Sequence, residues 1–225
     1  MTRGYFVTGT DTGVGKTRAS LGLMRRLQMQ GHVVTGMKPV ASGCRSTPSG
    51  WVNEDALLLQ AHASFTVPYH QVNSYAFEPP IAPHLAAQAQ GVRIEPEVIM
   101  RSLHVLTEAA DRVVVEGVGG WLVPIDAKRS MADVAIALGL PVVLVVGIRL
   151  GCLNHALLTA AAIEAAPVQF AGWIANRVDP ECLAAEENIS TLRERLAVPC
   201  LGEIEYNPDM EESVAQFSQA DPARS

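Results

Sequence analysis

Two unbroken aliphatic stretches, Val113-Val114-Val115 and Val142-Val143-Leu144-Val145-Val146, set the strongest limit on the fold. A strand with one wet face alternates apolar and polar side chains. A run without alternation is buried on both faces, like the inner strands of a parallel sheet. Six segments read as strands on this basis: Tyr5–Thr8, Val33–Met37, Arg112–Glu116, Val142–Gly147, Ala171–Ala175 and Cys200–Ile204. Helical patterns separate them. Lys16–Met29 places Ala19, Leu23 and Leu27 at i, i+4 and i+8, with Gly31 as the stop. Glu54–His62, Pro96–Ala110, Met131–Leu138, Leu153–Ala165 and Cys182–Leu196 complete the set. Strands alternating with helices predict a three-layer α/β domain, a mostly parallel sheet flanked by helices.

Ala41–Gly50 is small, polar and punctuated by glycine, and reads as a loop. Glu78–Pro83 carries too much proline for a helix or an inner strand and also reads as a loop. The polar end, Ser218–Ser225, reads as a frayed tail. No repeat or linker divides residues 1–225, so one domain is expected. With 48% hydrophobic and 18% charged residues, disorder is excluded for the bulk of the chain. A net charge of −6 argues against a nucleic-acid surface. The longest apolar run, Leu140 to Ile148, is about half the length of a membrane span. No secretory leader is evident, and Cys44, Cys152, Cys182 and Cys200 are scattered, without redox or zinc spacing. These observations predict a soluble cytoplasmic protein that needs neither nucleic acid nor membrane.

The most informative motif is Gly9-Thr10-Asp11-Thr12-Gly13-Val14-Gly15-Lys16-Thr17. It lies between the first strand and the first helix, where a phosphate loop belongs. Backbone N–H groups and the helix N-terminus would face phosphate oxygens. Lys16 would reach the terminal phosphates, and the Thr17 hydroxyl would hold Mg²⁺. The strict spacing G-x-x-x-x-G-K-[ST] is not met, because the first glycine sits one residue early, at Gly9. With this motif the expected architecture is of the P-loop NTPase type.

Mg²⁺ prefers oxygen ligands. Glu116 ends a buried strand, at the edge where α/β sheets bind ligands, and Gly117-Val118-Gly119-Gly120 follows. Asp55 reads on spacing alone either as a helix N-cap or first-turn acid or as a second metal ligand. Lys38 ends the second strand before Pro39, at the same edge as the phosphate loop. It suits an anionic intermediate or a phosphate, the alternative being a solvated strand-end lysine. Ser42 can hydrogen-bond a substrate or simply turn the chain. His84, His155 and Cys152 read as structural, Met24, Met29 and Met37 as core filler, and Arg25-Arg26 as a solvated helix face.

Several of these segments together resemble one family. Gly9-Thr10-Asp11-Thr12 with Val14-Gly15-Lys16-Thr17 is similar to the opening of the dethiobiotin synthetases. So are Lys38-Pro39-Val40-Ala41-Ser42-Gly43, Pro83-His84, Val115-Glu116-Gly117 with Gly119-Gly120-Trp121, and Leu150-Gly151-Cys152-Leu153-Asn154-His155 after Val145-Val146-Gly147. Ala171-Gly172-Trp173-Ile174-Ala175-Asn176 and Leu201-Gly202-Glu203-Ile204 continue the match in order.

The resemblance implies an ATP-dependent enzyme that carboxylates 7,8-diaminononanoate with CO₂ and closes a ureido ring. A carbamate and a carbamic–phosphoric anhydride are its intermediates, and ADP and phosphate are released. It implies catalytic Lys38 and Lys16, and Mg²⁺ held by Thr17, Asp55 and Glu116. The nucleotide would be bound by Gly13, Val14, Gly15, Lys16, Thr17, Arg18, Asp55, Glu116, Gly117, Val118, Gly119, Asn176, Arg177, Glu205, Tyr206 and Asn207. The diamine would be bound by Thr12, Ser42, Leu150, Gly151, Cys152, Leu153 and Asn154. The last five imply a homodimer with the substrate site at its interface.

Two places depart from the family pattern. Asn176-Arg177 stands where an asparagine–aspartate pair is common, and Glu205-Tyr206-Asn207 where a proline commonly follows Gly-Glu-Ile. Both border the nucleotide base in the family, so they bear on base contacts and leave the phosphate chemistry intact. The competing enzyme reading, a cobyrinate-type amidotransferase, needs a glutaminase region for which this length leaves no room. The competing non-synthetase reading is a nucleotide-switch ATPase of the partitioning type. Those carry lysine where this loop has Asp11, and a membrane or DNA surface for which no basic tail is seen here.

Overall fold

The computed structural model describes residues 4–48, 50–207, 209–215 and 217. The tail expected from Ser218 onward lies outside the described residues. The chain opens with β1 (Gly4–Gly9), passes through the glycine-rich loop into α1 (Lys16–Met29), and returns in β2 (Val34–Met37). An excursion follows: β3 (Val40–Ser42), β4 (Arg45–Thr47), β5 (Gly50–Val52), α2 (Glu54–Ala61), α3 (Tyr69–Val72), β6 (Tyr75–Phe77) and α4 (Pro83–Ala89). Regular alternation then resumes. It runs through α5 (Pro96–Ala109), β7 (Arg112–Glu116), α6 (Met131–Leu138), β8 (Val142–Ile148), α7 (Cys152–Glu164), β9 (Phe170–Arg177), α8 (Ala185–Arg195), β10 (Cys200–Ile204) and α9 (Met210–Ala215).

All six expected strands enter one sheet, in the order β10-β9-β8-β1-β7-β2, and every pairing is parallel. Every residue of β8 is buried, as its lack of alternation required. The direction of winding reverses at β1, which lies between β7 and β8. Open α/β sheets bind ligands at such a switch point, outside the carboxyl ends of the strands. The glycine-rich loop leaves β1 there. Register brings further groups to the same edge: Val7 pairs with Glu116, and Met37 pairs with Val115. Lys38, one residue past Met37, therefore arrives beside Glu116.

Four expectations need correction. Ala41–Gly50 is not a plain loop, because β3 pairs with β6 and β4 pairs with β5 through it. Pro83 does not end a loop. It occupies the first turn of α4, where the missing N–H costs no helical bond. Met29 is 81% exposed rather than core. Arg26 is not a solvated residue, since its guanidinium donates to the Leu201 carbonyl at 3.0 Å. Those pairings and bonds join segments distant in sequence, and local pattern carries no trace of them.

Candidate active site

α1 begins without a side-chain cap. Gly15 occupies the cap position at φ 83°, a left-handed conformation that favours glycine. The first helical bond runs from the Ala19 amide to the Gly15 carbonyl. The N–H groups of Lys16, Thr17 and Arg18 thus precede the first i→i−4 bond of the helix, and all three residues line the cavity described below. Asn176, buried at the end of β9, donates its amide Nδ2 to the Val14 carbonyl at 2.9 Å. A Cβ on Gly15 would stand 1.9 Å from that nitrogen. The asparagine thus clamps the loop from beneath.

Lys16 is buried and donates from Nζ to the Asp11 carbonyl at 2.8 Å. Burial, with the positive charge of Lys38 nearby, lowers its pKa to about 8. Asp11 also accepts from the Thr12 amide at 2.7 Å and from Arg149 at 2.9 Å. The loop is therefore braced from both sides.

Lys38 is the centre of the site. Its Nζ lies 2.5 Å from Glu116 Oε1, 3.1 Å from Asp55 Oδ2 and 3.3 Å from the Gly117 carbonyl. Thr17 Oγ1 donates to the same Glu116 oxygen at 3.1 Å. Burial by itself would lower the Lys38 pKa, but Glu116 and then Asp55 outweigh it and hold the ammonium above its ordinary value. Burial likewise would raise Asp55, and Lys38, with hydrogen bonds from Lys38 and Thr17, keeps it below the usual carboxylate range. The solvated strand-end reading of Lys38 is thereby set aside. Asp55 lies in the first turn of α2 while Asn53 is the cap, accepting from the Ala56 amide at 3.2 Å. Asp55 is therefore free to face Lys38.

The backbone of Lys38 is pinned as firmly as its side chain. Its N–H donates to the Val72 carbonyl at 2.8 Å, and its carbonyl accepts from Asn73 Nδ2 at 2.6 Å. The Tyr69 hydroxyl donates to Asn73 Oδ1 at 3.1 Å and accepts from the Asn53 amide at 2.8 Å. One phenol thus ties the cap of α2, which carries Asp55, to the asparagine that holds Lys38. No local sequence signal marks Tyr69 or Asn73.

These groups open onto a cavity of about 590 Å³. Thr12, Gly13, Gly15, Lys16, Thr17, Arg18, Lys38, Ser42, Asp55, Glu116, Val118 and Gly119, all expected from sequence, line it. Ser42 Oγ is buried there without a protein partner, as is Glu116 Oε2. Sequence reasoning missed Ala41, Asn53, Pro80, Ile81, Ala82, Pro83, Val123 and Met210 as lining residues. Of these, Pro80–Ala82 was visible only as part of a proline-rich stretch, and Ala41 and Pro83 only as parts of the segments that resemble the family.

The remaining expected residues lie elsewhere. Val14 is buried under the loop, and Gly117 reaches the site through its carbonyl. Arg177 is held by Glu186 at 2.6 Å, Glu205 at 3.1 Å and Glu203 at 3.4 Å. Tyr206 is half exposed, and the Asn207 carbonyl accepts from Arg18. Leu150–Asn154 does not line the cavity of this chain. Leu150 is 95% exposed and Cys152 is buried in the core.

A family model described as an AAA domain matches residues 3–214. Among curated proteins, the chain is similar to the ATP-dependent dethiobiotin synthetase BioD of Xanthomonas oryzae pv. oryzae (strain PXO99A). That relative is 55% identical over 207 residues, 92% of each chain. The BioD of Xanthomonas euvesicatoria pv. vesicatoria (strain 85-10) is 54% identical over 204 residues, 91% of each. Among solved structures, the MinC:MinD cell division protein complex of Aquifex aeolicus superposes with a TM-score of 0.57 at 14% identity. The match covers 93% of this chain and 84% of that one, and at this identity it shows the shared P-loop fold alone. No helix among the described residues is long and apolar enough to cross a membrane.

Proposed function

The chain belongs to the dethiobiotin synthetase family, and from that premise we propose the substrates, site residues and steps that follow. As a member it is an ATP-dependent synthetase acting on small molecules. The substrates proposed are 7,8-diaminononanoate, CO₂ and ATP, in a cytoplasmic enzyme. The observation that carries this reading is the convergence of Lys16 and Lys38 on one cavity, floored by Glu116 and Asp55 and rimmed by Gly13, Gly15 and Thr17 of the glycine-rich loop and helix start.

In this reading an amine of the diamine takes up CO₂, losing a proton, to form a carbamate. A carbamate oxygen attacks the γ-phosphorus of ATP and ADP departs. The second amine then attacks the carbonyl carbon of the mixed anhydride, phosphate leaves, and the ring closes with release of a proton. Carbamate and triphosphate are both anions, so their approach needs fixed positive potential. Lys16 and the loop amides supply it on the phosphate side. Lys38 supplies it where the two anions meet. Thr12 and Ser42 hydrogen-bond the diamine or its carbamate, and the orphaned Ser42 hydroxyl supports that role. The apolar wall of Pro80, Ile81, Pro83 and Val123 suits an alkyl chain.

Thr17, Asp55 and Glu116 would hold Mg²⁺. Their oxygens suit a hard cation, Glu116 Oε2 is buried without a partner, and the set already accommodates the Lys38 ammonium. Bound there, the ion would add positive charge beside the phosphates. Asn176 and residues 205–207 would border the base. The two departures from the family pattern meet in space, since Arg177 pairs with Glu205 at 3.1 Å alongside Glu186 and Glu203. Leu150–Asn154 would bind the far carboxylate of a diamine in the partner of a homodimer. The exposed Leu150 and the uncapped start of α7 support this.

The test is direct. The protein is incubated with 7,8-diaminononanoate, bicarbonate, Mg²⁺ and ATP, and dethiobiotin is followed by mass. Product formed in step with ADP is expected, and no product despite intact ATP binding would sink the reading.

A further inference from the structure

Helix α1 leaves the phosphate loop and carries three residues on one face at i, i+4 and i+8: Arg18, Gly22 and Arg26. All three meet the segment that follows β9. The Arg26 guanidinium donates to the Leu201 carbonyl at 3.0 Å, and the Arg18 guanidinium donates to the Asn207 carbonyl. Gly22 receives Phe217. A Cβ at Gly22 would stand 2.8 Å from the ring Cγ and 3.1 Å from Cδ1. Val214, one turn before Phe217, is buried at 3% exposure.

Glycine inside a helix is disfavoured by about 1 kcal/mol relative to alanine. At Gly22 φ is ordinary, so no backbone conformation explains the residue. The close approach of the Phe217 ring does explain it. This seam anchors Leu201, Asn207 and Phe217 on α1. In between, Met210 forms part of the wall of the active-site cavity, and Arg18 lines the same cavity.

We propose that Gly22 and Phe217 are positioning residues for the nucleotide. Docked on α1, the C-terminal segment holds Glu205, Tyr206, Asn207 and Met210 as a preformed wall against the adenosine part of ATP. The phosphates are held independently, by the loop. This rests on the reading that ATP occupies the cavity, and it goes beyond that reading by assigning the wall's position to a contact outside the cavity. A preformed wall spares the ligand the entropy of ordering that segment.

The test compares ATP with inorganic tripolyphosphate, which has the phosphates and lacks the adenosine. Affinities are measured by calorimetry on the whole protein and on Phe217→Ala, Gly22→Ala and the double variant. Phe217→Ala is expected to weaken ATP about tenfold, the scale of one packed side-chain contact. Tripolyphosphate should be unchanged. Turnover at saturating ATP should stay near the unmodified value, so that the loss falls on KM and not on kcat. Gly22→Ala should weaken ATP when Phe217 is present and have no further effect in the double variant. Equal loss for ATP and tripolyphosphate, or unchanged ATP affinity in Phe217→Ala, would overturn the proposal while leaving the synthetase reading standing. Failure of the unmodified protein to bind ATP overturns both.

Discussion

Lys38 Nζ lies 2.5 Å from Glu116 Oε1 although 78 residues separate them in the chain. Both side chains are at least 95% buried, with exposures of 5% and 1%. A buried charge that loses its partner is costly, whereas replacing both members of a pair is far less so. Lys38→Met should therefore destabilise the protein by about 3–5 kcal/mol, and Lys38→Met with Glu116→Gln should recover most of that loss. Urea midpoints of the two single variants and the double variant measure the coupling, and additive losses would contradict it. The milder Lys38→Gln should keep ATP affinity while losing most turnover. Normal turnover in that variant would remove Lys38 from the chemistry.

Tyr69 reaches the site only through its hydroxyl, which bridges Asn53 and Asn73. Tyr69→Phe keeps the ring and removes both bonds, for a loss of about 1–2 kcal/mol in stability. It should lower kcat about tenfold, because Lys38 and Asp55 lose their common brace while substrate contacts remain. KM for ATP should stay within about twofold. A matching rise in KM with kcat intact would show that the phenol acts on binding instead.

Gly15 combines a left-handed φ with the Asn176 amide at its back. Gly15→Ala should abolish measurable ATP binding and lower stability by more than the roughly 1–2 kcal/mol of backbone strain alone. Asn176→Ala removes the obstructing nitrogen. Gly15→Ala with Asn176→Ala should therefore regain stability relative to Gly15→Ala, while ATP binding stays impaired because the strain persists. Thermal midpoints and calorimetric titration together separate the two effects.

Asp126 organises the turn that precedes α6. Its Oδ1 accepts from the Lys128 amide at 2.8 Å and the Arg129 amide at 2.7 Å, and its Oδ2 accepts from Arg129 Nε at 2.7 Å. Those bonds, the Lys128 amide foremost, lower its pKa to about 2. A depressed carboxylate stabilises the fold fully above its unfolded pKa and loses that contribution as pH falls through the folded one. The gap in urea midpoint between the unmodified protein and Asp126→Asn should be largest near pH 6 and close between about pH 4 and pH 2. A gap that does not change over that range would rule out the carboxylate as its source.

Much of this molecule was legible in one dimension. The six sheet strands, the phosphate loop and the helix it opens follow from apolar periodicity and from the Gly-Lys-Thr signature, which are local properties. That Lys16, Thr17, Lys38, Asp55 and Glu116 would share one edge of the sheet was also legible, because each lies at a strand end or a helix start, and all five line one cavity.

The excursion between β2 and α5 was not legible. Its short strands pair at long range, and Pro80–Pro83, Val123 and Met210 become cavity walls only through tertiary packing. The same holds for Tyr69 and Asn73, whose partners come from other elements, and for Arg177, where a single residue meets three glutamates. Sequence determined which groups this protein places at the carboxyl edge of its sheet, because strand and helix patterns fix where each lies along an element. Tertiary structure alone decided their distances and charges. Parallel register set Lys38 beside Glu116, and burial then made that pair, rather than any residue by itself, the electrostatic centre of the site.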